Sequence, residues 1–504
     1  MTMTTPVLIA GAGPAGMAAG CELLRLGVPI RVLDSAPERS KGTRALQLWP
    51  PALEVLRGLG IQGEAESRGL KVRAMNYHLA GGRSLRITLG AHNEPLLLPQ
   101  EQTNLLLEEE LERLGGKIER DRTVTGVAVH DERVVVTAEG PAGTETIEAE
   151  WLIAADGVRS TVRDRIGSEF AGERVTMTFL LAEGRIDGEY ERGAVHYFLG
   201  RSGSLVFAPM AGGNVRVSAA VPENTPMTAE SVQALLDERG PGDLRVSRLD
   251  SLRTFTSSER IASPMREGRA FLVGDAAHTH SPIGGQGLNL GLQDVHNLVW
   301  KLAGVVQGRL DASVLDSYEP ERRQAAEQVL RTTHQMIRMF TLGPTAARIR
   351  NFSWRGLDSA GVLRHWFVPL LAGWRVRYPD AFPGPGAPRA ATSRATRFAW
   401  GLGRLPRPGT RTPHWVPRPQ LPAQGVGLRL LTSGVSGSDL VRQARRTANR
   451  YRGLVTHGHL ERRGTGFMLL RPDGYVAASG TGREEMERIG TLLDQLANVR
   501  KETG

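Results

Sequence analysis

The first residues that could do chemistry are three glycines and an aspartate near the amino terminus. Gly11, Gly13 and Gly16 follow the apolar run 7–10 and lead into an apolar helical pattern, and Asp34 ends a second apolar run. Such glycines allow a tight turn, close approach of the backbone to a pyrophosphate, and close packing of helix on strand. The helix start offers N–H groups to phosphates, and the acid accepts hydrogen bonds from ribose hydroxyls. The pattern therefore predicts a dinucleotide-binding strand–helix–strand unit.

Two later segments place an acid directly after a strand. The apolar run 151–155 leads into Asp156, and the apolar run 271–273 leads into a turn that contains Asp275. The second segment continues into a glycine-rich turn and a helix predicted over about 290–306. An acid at such a strand end can bind a ribose or ribityl hydroxyl, and a glycine-rich turn before a helix presents N–H groups to an electron-rich group.

Three motifs in a fixed order relate the chain to a known family: GAGPAG, ADGVRSTVR and GDAAHTHSPIGGQGLNLGLQDVHNLVWKLA. Together they resemble the FAD-dependent aromatic hydroxylases of the para-hydroxybenzoate hydroxylase type, which are group A flavoprotein monooxygenases. Within that family the resemblance is closest to the group of aromatic polyketide hydroxylases and rifampicin monooxygenase. It extends over about residues 5–340.

The resemblance implies an α/β fold: a Rossmann-type FAD-binding domain with an inserted β-sheet substrate domain and a C-terminal thioredoxin-like α/β domain. The segment 409–414 resembles a GxRxPH stretch that precedes this last domain. Because Cys21 is the only cysteine, thiol redox chemistry in the last domain is excluded, and we expect a structural or interface role for it. The expected boundaries are 1–70, 100–174 and 262–330 for the discontinuous FAD-binding domain, 71–99 and 175–261 for the substrate-binding sheet, 331–378 for a helical segment, 379–425 for a linker rich in proline and arginine, and 426–504 for the thioredoxin-like domain.

The resemblance also assigns residues to FAD. It implies that Asp34 holds the adenosine ribose, that Asp156 serves both FAD and the incoming nicotinamide, and that Asp275 takes the ribityl or phosphate side. The backbone at Pro282, Gly284 and Gly285 is expected around the reacting flavin ring. The full set of expected cofactor contacts is Gly11, Gly13, Ala15, Gly16, Asp34, Arg44, Gln100, Asp156, Gly157, Gly274, Asp275, Pro282, Gly285, Gln286, Gly287, Leu288 and Asn289.

Four residues are candidates for the substrate pocket from their spacing in the alternating strand pattern of residues 176–220: His196, Phe198, Phe207 and Met210. Each of the four could instead be an ordinary residue of the sheet core or of the surface, since half of any strand faces inward. His278 and His280 could in principle bind zinc, but no third ligand has the required spacing, so we expect no metal.

The reaction implied by the resemblance starts with reduction of noncovalently bound FAD by NADPH or NADH. O2 then forms a C4a-hydroperoxyflavin, which hydroxylates an aromatic substrate, expected to be of the polycyclic polyketide type. A Baeyer–Villiger insertion or an epoxidation on a similar substrate remains an alternative. A further alternative, of another class, is a non-catalytic flavin- or ligand-binding protein. The sequence identifies neither the substrate nor a catalytic acid or base.

The composition narrows the class of protein. The chain has 504 residues, of which 40% are hydrophobic and 23% charged, as is typical of a globular protein with several domains. The formal net charge is +10, but the arginines are scattered and no RNA-binding aromatic motif accompanies them, so we expect no nucleic-acid partner. No apolar stretch of about 18 residues and no basic leader occur, so we expect no membrane partner and a cytoplasmic location. A monomer and a homodimer both remain open.

Overall fold

The computed structural model describes most of the chain. The described residues are 5–39, 45–79, 83–200, 203–282, 284–340, 349, 352–354, 356–357, 359, 361–378, 405–416, 427–461 and 464–497. Arg44 and most of the expected linker 379–425 lie outside them. Within the described ranges, no helix combines the length and the apolar character needed to cross a membrane.

The secondary structure mixes strands and helices along the whole of the described chain. The strands are β1 Thr5–Ala10, β2 Ile30–Leu33, β3 Gln47–Leu48, β4 Leu70–Lys71, β5 Ala74–Leu79, β6 Arg83–Thr88, β7 Leu96–Leu97, β8 Ile118–Glu119, β9 Thr123–Val129, β10 Val134–Gly140, β11 Gly143–Ala154, β12 Glu169–Asp187, β13 Ala194–Leu199, β14 Ser204–Pro209, β15 Val215–Val221, β16 Arg245–Ser263, β17 Arg266–Glu267, β18 Ala270–Leu272, β19 His278–Thr279, β20 Leu428–Ser433, β21 Val455–Leu460, β22 Gly466–Leu470 and β23 Val476–Gly480. The α-helices are α1 Pro14–Arg25, α2 Pro50–Gly58, α3 Gln62–Arg68, α4 Gln100–Arg113, α5 Thr161–Arg165, α6 Ala229–Arg239, α7 Gly287–Val306, α8 Tyr318–Phe340, α9 Val368–Leu371, α10 Asp439–Arg450 and α11 Arg483–Leu496.

The first sheet brings the predicted acids and glycines to one edge. Its strand order is β17-β18-β11-β1-β2-β8, with β10 and β9 as an antiparallel extension beside β11. The strands β18, β11, β1, β2 and β8 are mutually parallel. Because the carboxyl ends of parallel strands meet at one edge, the turns that follow β1, β2, β11 and β18 lie together. These are the turns with Gly11, Asp34, Asp156 and Asp275.

The second sheet has two faces that pack against different elements. Its order is β19-β16-β12-β15-β14-β13-β5-β6, and its neighbours are antiparallel except for β13 and β5. One face, the α6 face, packs against α6 in a cluster that includes Leu236. The other, the α8 face, packs against α8 and the segment after it in a cluster that includes Met336, Trp354 and Leu371.

Residues 427–497 form a small α/β unit around a four-stranded sheet. The strand order is β21-β20-β22-β23, in which only the β20–β21 pair is parallel. The helices α10 and α11 contribute buried residues such as Val441 and Leu493 to its core. The single cysteine, Cys21, is buried in α1, far from this unit in the sequence.

Buried charges join the small unit to α7 and α8. Arg471, directly after β22, is buried and donates to Glu321 on α8 (2.8 Å) and to Asp473 (3.0 Å). Lys301 on α7 donates to Glu321 (2.8 Å) and to Asn297 (2.9 Å), and the Asn297 amide donates to Asp473 (3.2 Å). Burial alone would raise the pKa of the Glu321 carboxyl, but Arg471 and Lys301 outweigh it and lower this pKa. The positive charges of Arg471 and Lys301 therefore offset the negative charges of the Glu321 and Asp473 carboxylates inside the protein.

We expect Arg471→Met to lower the free energy of unfolding by about 3–5 kcal/mol, because it leaves a buried carboxylate without its cation. The double variant Arg471→Met/Asp473→Asn removes one charge of each sign and keeps the Lys301–Glu321 pair, so it should recover part of the loss. Urea unfolding measures both. Arg488→Met, on the exposed side of α11, is the matched control and should change stability by less than about 0.5 kcal/mol. Equal stabilities for Arg471→Met and the control would contradict the network.

Candidate functional site

Two of the three glycines in the turn after β1 are packed closely against backbone atoms, and the third borders open space. A Cβ at Gly11, whose φ is +99°, would lie 2.3 Å from the Ala155 carbonyl oxygen, and a Cβ at Gly16 would lie 1.9 Å from the Gly11 carbonyl oxygen. A Cβ at Gly13 would meet nothing within 4 Å. Gly13 is also the N-cap of α1 and provides no side-chain cap, so the first N–H groups of the helix border open space.

Asp34 is fixed on this turn by two hydrogen bonds. Its carboxylate accepts the Ala12 N–H at 2.5 Å and the Ala36 N–H at 2.8 Å. A carboxylate has about four lone-pair sites, so acceptor capacity is left for a sugar hydroxyl. Gln100 holds the backbone of Ala45, the residue that follows the expected Arg44 in the sequence. Its side-chain oxygen accepts the Ala45 N–H (3.2 Å), and its backbone N–H donates to the Ala45 carbonyl (3.1 Å).

The turn with Asp275 lies against the start of α1. Gly274 has a φ of +59°, and a Cβ there would be 3.3 Å from the Ala15 side chain. Gly291 of α7 packs on the same spot, where a Cβ would be 3.2 Å from the Gly274 Cα. Asp275 itself is exposed, and its carboxylate has no hydrogen-bond partner among the residues that the structure describes. An exposed carboxylate without a hydrogen bond to the described residues therefore directly follows a glycine that packs on the start of α1.

Asp156 makes local contacts that order the next helix. Its carboxylate accepts the Ser160 hydroxyl (2.6 Å) and the Val162 N–H (3.1 Å) at the start of α5. Burial raises the pKa of this carboxyl, and these hydrogen bonds only partly offset the effect. Gly157, with a φ of +80°, borders open space. The segment still lies at the glycine turn, because Gly11 packs on the Ala155–Asp156 backbone.

The 284–289 loop is clamped to the segment that carries β3. The Asn289 side chain accepts the Trp49 N–H (2.6 Å) and donates to the carbonyls of Gln47 (2.8 Å) and Gly285 (2.6 Å). The Trp49 indole donates to the Gly284 carbonyl (3.0 Å). Gly284 and Gly285 have φ values of +85° and +61°, a conformation that favours glycine. The Asn289 side chain is thus used to shape the loop.

Other expected contacts in this region also serve the loop. The Gln286 side chain donates to the Leu371 carbonyl (2.7 Å), and the Pro282 carbonyl accepts the Gly285 N–H (3.0 Å). The helix α7 begins at Gly287 without a side-chain cap, so the N–H groups of its first turn, including that of Leu288, keep their donor capacity.

Gln47 lies beside the loop with an unused donor. The Nε2 atom of its buried side chain has no hydrogen-bond partner among the described residues. A Cβ at Gly285 would be 3.2 Å from the Gln47 Cβ, which places this amide next to the loop. A buried donor without a partner costs about 1–3 kcal/mol, so it indicates a missing ligand group. The sequence signal is weak: one polar residue in an apolar run.

A buried carboxylate on α7 fixes the turn with Asp275. Asp294 accepts the Gly274 N–H (2.9 Å) and the Arg322 guanidinium (2.6 Å), and His278 Nε2 lies 2.6 Å from it. Burial alone would raise the pKa of Asp294, but His278 and Arg322 outweigh it and lower this pKa. His278 is therefore a partner of Asp294, and the described residues contain no group of three side chains that could hold a metal ion.

The four candidates for the substrate pocket lie on different faces of the second sheet. Phe198 and Phe207 belong to the cluster on the α6 face, and His196 shares this face by the alternation along β13. His196 is buried and contacts His78 (3.1 Å) and the Glu191 carbonyl (2.9 Å). Met210 instead belongs to the cluster on the α8 face. That face reaches the 284–289 loop, because Met336 of the same cluster lies 3.6 Å from a Cβ built at Gly284.

The α8 face continues across β15, β12 and β16 with polar side chains. Glu183 lies opposite both Arg216 and Ser251, so the three share one face. Arg216 is buried and forms an ion pair with Glu183. Ser251 Oγ and Arg253 Nε are buried without hydrogen-bond partners among the described residues.

Two aromatic rings lie on this same face. Phe179 and Phe255 are cross-strand partners with ring centroids 5.7 Å apart. The face thus combines aromatic surface with unused polar groups. None of these residues was predicted from the sequence, because they stand in the strands β12, β15 and β16, outside any motif.

Comparison with known proteins agrees with this geometry. A family model described as an FAD binding domain matches residues 4–333. The 6-methylpretetramide 4-monooxygenase of Streptomyces rimosus is 34% identical over 519 residues, which cover 94% of this chain and 90% of that protein. The chain belongs to the FAD-dependent aromatic monooxygenases.

This monooxygenase is similar to other members over most of its length. Rifampicin monooxygenase of Streptomyces venezuelae is 32% identical over 381 residues, which cover 74% of this chain and 79% of that protein. The solved structure of the anhydrotetracycline hydroxylase OxyS from Streptomyces rimosus superimposes with a TM-score of 0.75 at 27% identity, over 98% of this chain and 99% of that one. The family expected from the three motifs is confirmed, and so is the mixed α/β character of the fold.

The cleft of the monooxygenase, defined by the turns with Gly11, Asp34 and Asp275 and by the 284–289 loop, has features that fit FAD. The open space at Gly13 and the uncapped start of α1 fit a pyrophosphate. The free carboxylate of Asp275 fits a sugar or ribityl hydroxyl, and the unused amide of Gln47 beside the 284–289 loop fits the polar edge of a heteroaromatic ring.

We expect Gly13→Ala to weaken FAD binding about tenfold or more, because its methyl group would occupy the space left for the phosphates. Its stability should change by less than about 0.5 kcal/mol, since the added Cβ meets no protein atom. Titration of the apoprotein with FAD, followed by flavin fluorescence, measures the dissociation constant. Gly63→Ala in α3, where a Cβ also meets nothing, is the matched control. An FAD affinity equal to that of the control would contradict the assignment.

Proposed function

We propose that this protein is an NAD(P)H-dependent FAD monooxygenase that hydroxylates a polycyclic aromatic substrate of the polyketide type. Two observations support the proposal: the 284–289 loop, which Asn289 and Trp49 clamp, and a sheet face that carries aromatic rings and unused polar groups. In the balanced reaction, NAD(P)H, a proton, O2 and the aromatic substrate give NAD(P)+, water and the phenol.

The residues of the cleft divide the binding of FAD among them. Gly13 and the first N–H groups of α1 would hold the pyrophosphate, Asp34 the adenosine ribose, and Asp275 the ribityl side. Gln47 and the 284–289 loop would hold the flavin ring. A flavin held by these residues would supply the chemistry of hydride acceptance from NAD(P)H and of O2 activation.

The chain itself supplies charge stabilisation and positioning. The uncapped start of α7 offers N–H groups and a partial positive charge, which would stabilise negative charge on a flavin ring held at the 284–289 loop. The apolar cluster around Met336 and Leu371 excludes water from the loop, which the chemistry requires. Phe179 and Phe255 would pack against the rings of the substrate, while Ser251 and Arg253 would bind its oxygen atoms.

We also propose roles for the domains. The eight-stranded second sheet acts as the substrate-binding domain, with its α8 face toward the flavin. The unit of residues 427–497 corresponds to the expected thioredoxin-like domain, and its contacts through Arg471 support a structural role.

The proposal predicts that an aromatic substrate stimulates NAD(P)H oxidation and gains one oxygen atom. The test is to incubate the FAD-loaded protein with NADPH or NADH, isotopically labelled O2 and a panel of polycyclic phenols, followed by mass spectrometry. A phenol that carries the label supports hydroxylation. A labelled ester would instead indicate a Baeyer–Villiger reaction, and a labelled epoxide an epoxidation. Binding of flavin and ligand without stimulated NAD(P)H oxidation would favour the non-catalytic alternative.

The sheet face also predicts which variants change substrate binding. Arg253→Met should raise KM for the aromatic substrate by about tenfold, because a hydrogen bond from a charged donor is lost. Its stability should stay within about 0.5 kcal/mol of the wild type, since the Nε atom has no partner to lose. Arg248→Met, at an exposed position of the same strand, is the matched control. If the two variants have the same KM, Arg253 does not bind the substrate.

A further inference from the structure

The segment that precedes the C-terminal unit is fixed tightly against it. Gly409 has a φ of +75°, and a Cβ there would lie 2.0 Å from the Tyr378 carbonyl oxygen, so only glycine fits. The Thr412 N–H donates to the Gly474 carbonyl (2.8 Å), and the Val476 N–H donates to the Thr410 carbonyl (2.9 Å). The backbone therefore presents the side chain of residue 411 in one direction.

Arg411 uses this position to contact three other elements. Its guanidinium donates to the Gln293 side-chain oxygen on α7, and one of its nitrogens lies 3.8 Å from the Glu54 carboxylate on α2. The guanidinium also packs over the Tyr475 ring, 4.7 Å from the ring centroid. Arg411 is buried, so these contacts are shielded from water.

A short series of hydrogen bonds connects Arg411 to the 284–289 loop. The Gln293 amide donates to the Asn289 carbonyl at 2.9 Å. The Asn289 side chain in turn binds the Gly285 carbonyl and the Trp49 N–H. Glu54 lies on α2, which begins directly after Trp49. The contact of Arg411 with Glu54 therefore reaches the helix next to Trp49, the other partner of the Asn289 side chain. Arg411 therefore touches both helices that hold the loop.

We propose that Arg411 is a positioning residue for the 284–289 loop, acting through Gln293 and Asn289. The inference rests on the proposed function in one respect, that the flavin ring lies at this loop. Arginine suits the role because its planar fork can donate in two directions while it stacks on a ring, which lysine cannot do. A loop displaced by about 1 Å at a reacting centre can lose on the order of a hundredfold in rate.

The test compares Arg411→Lys with Arg407→Lys, a control at an exposed position of the same segment. Hydrogen exchange of the apoprotein is the first readout. Arg411→Lys should speed exchange in the 284–289 loop about fivefold to tenfold relative to Arg407→Lys, as expected for the loss of one hydrogen bond. In the FAD-loaded enzyme the variant should shift the flavin midpoint potential and lower the product formed per NAD(P)H.

A second variant keeps the test decisive if Arg411→Lys does not fold. Gln293→Glu retains an acceptor for Arg411 but removes the donor to the Asn289 carbonyl, so it should reproduce the faster exchange of the loop. Exchange and midpoint potential equal to those of Arg407→Lys in both variants would overturn the positioning role. The proposed function would stand in that case, because it depends on the wild-type enzyme; it fails separately if the wild type forms no oxygenated product.

Discussion

One buried carboxylate organises the cleft of this protein. Asp294 is shielded completely from water and is surrounded by the Gly274 N–H, His278 and Arg322. A charge in such surroundings persists only where fixed donors replace the lost water, so all partners are held in one arrangement. One of these partners is the backbone directly before Asp275. The position of the free carboxylate in the cleft therefore depends on a charge on α7.

The helix that carries Asp294, α7, also carries four other buried polar side chains. Asn289, Gln293, Asn297 and Lys301 recur at intervals of four residues and form a buried polar stripe along α7. The first of them clamps the 284–289 loop, and the last two join the network of Glu321, Arg471 and Asp473. The C-terminal unit thus pairs Arg471 with the Glu321 carboxylate on α8 and offers the Asp473 carboxylate to the Asn297 amide on α7, and neither contact requires a redox cysteine.

The local patterns of the sequence predicted the parts of the site that lie close together in the chain. The glycine turn, the acids at the strand ends and the start of α7 follow from a few neighbouring residues each, and the structure has all three elements. The partners of Asn289 and Arg411 could not be predicted in this way. Trp49 and Gln293 are separated from them by long stretches of chain, and only the folded sheet edge brings them together.

The side of the second sheet that we propose as the substrate face was equally hard to predict, for a different reason. Alternation along a strand defines two faces, but both faces of β13 carry bulky side chains that become buried, so the pattern does not indicate which one faces the loop. The candidates His196, Phe198 and Phe207 lie on the α6 face, and only Met210 lies on the α8 face. Arg253 and Ser251 could be recognised as candidates only from the structure, in which each has a buried polar atom without a hydrogen-bond partner among the described residues.

The most direct measurement is a titration of apoprotein with FAD for the wild type and for Asp275→Ala. The wild type should bind one FAD per chain. The variant should unfold at the same urea concentration, because the exposed Asp275 carboxylate forms no hydrogen bond with the described residues, yet bind FAD about tenfold to a hundredfold more weakly. An unchanged dissociation constant would contradict the claim that the Asp294 cluster places Asp275 on the cofactor.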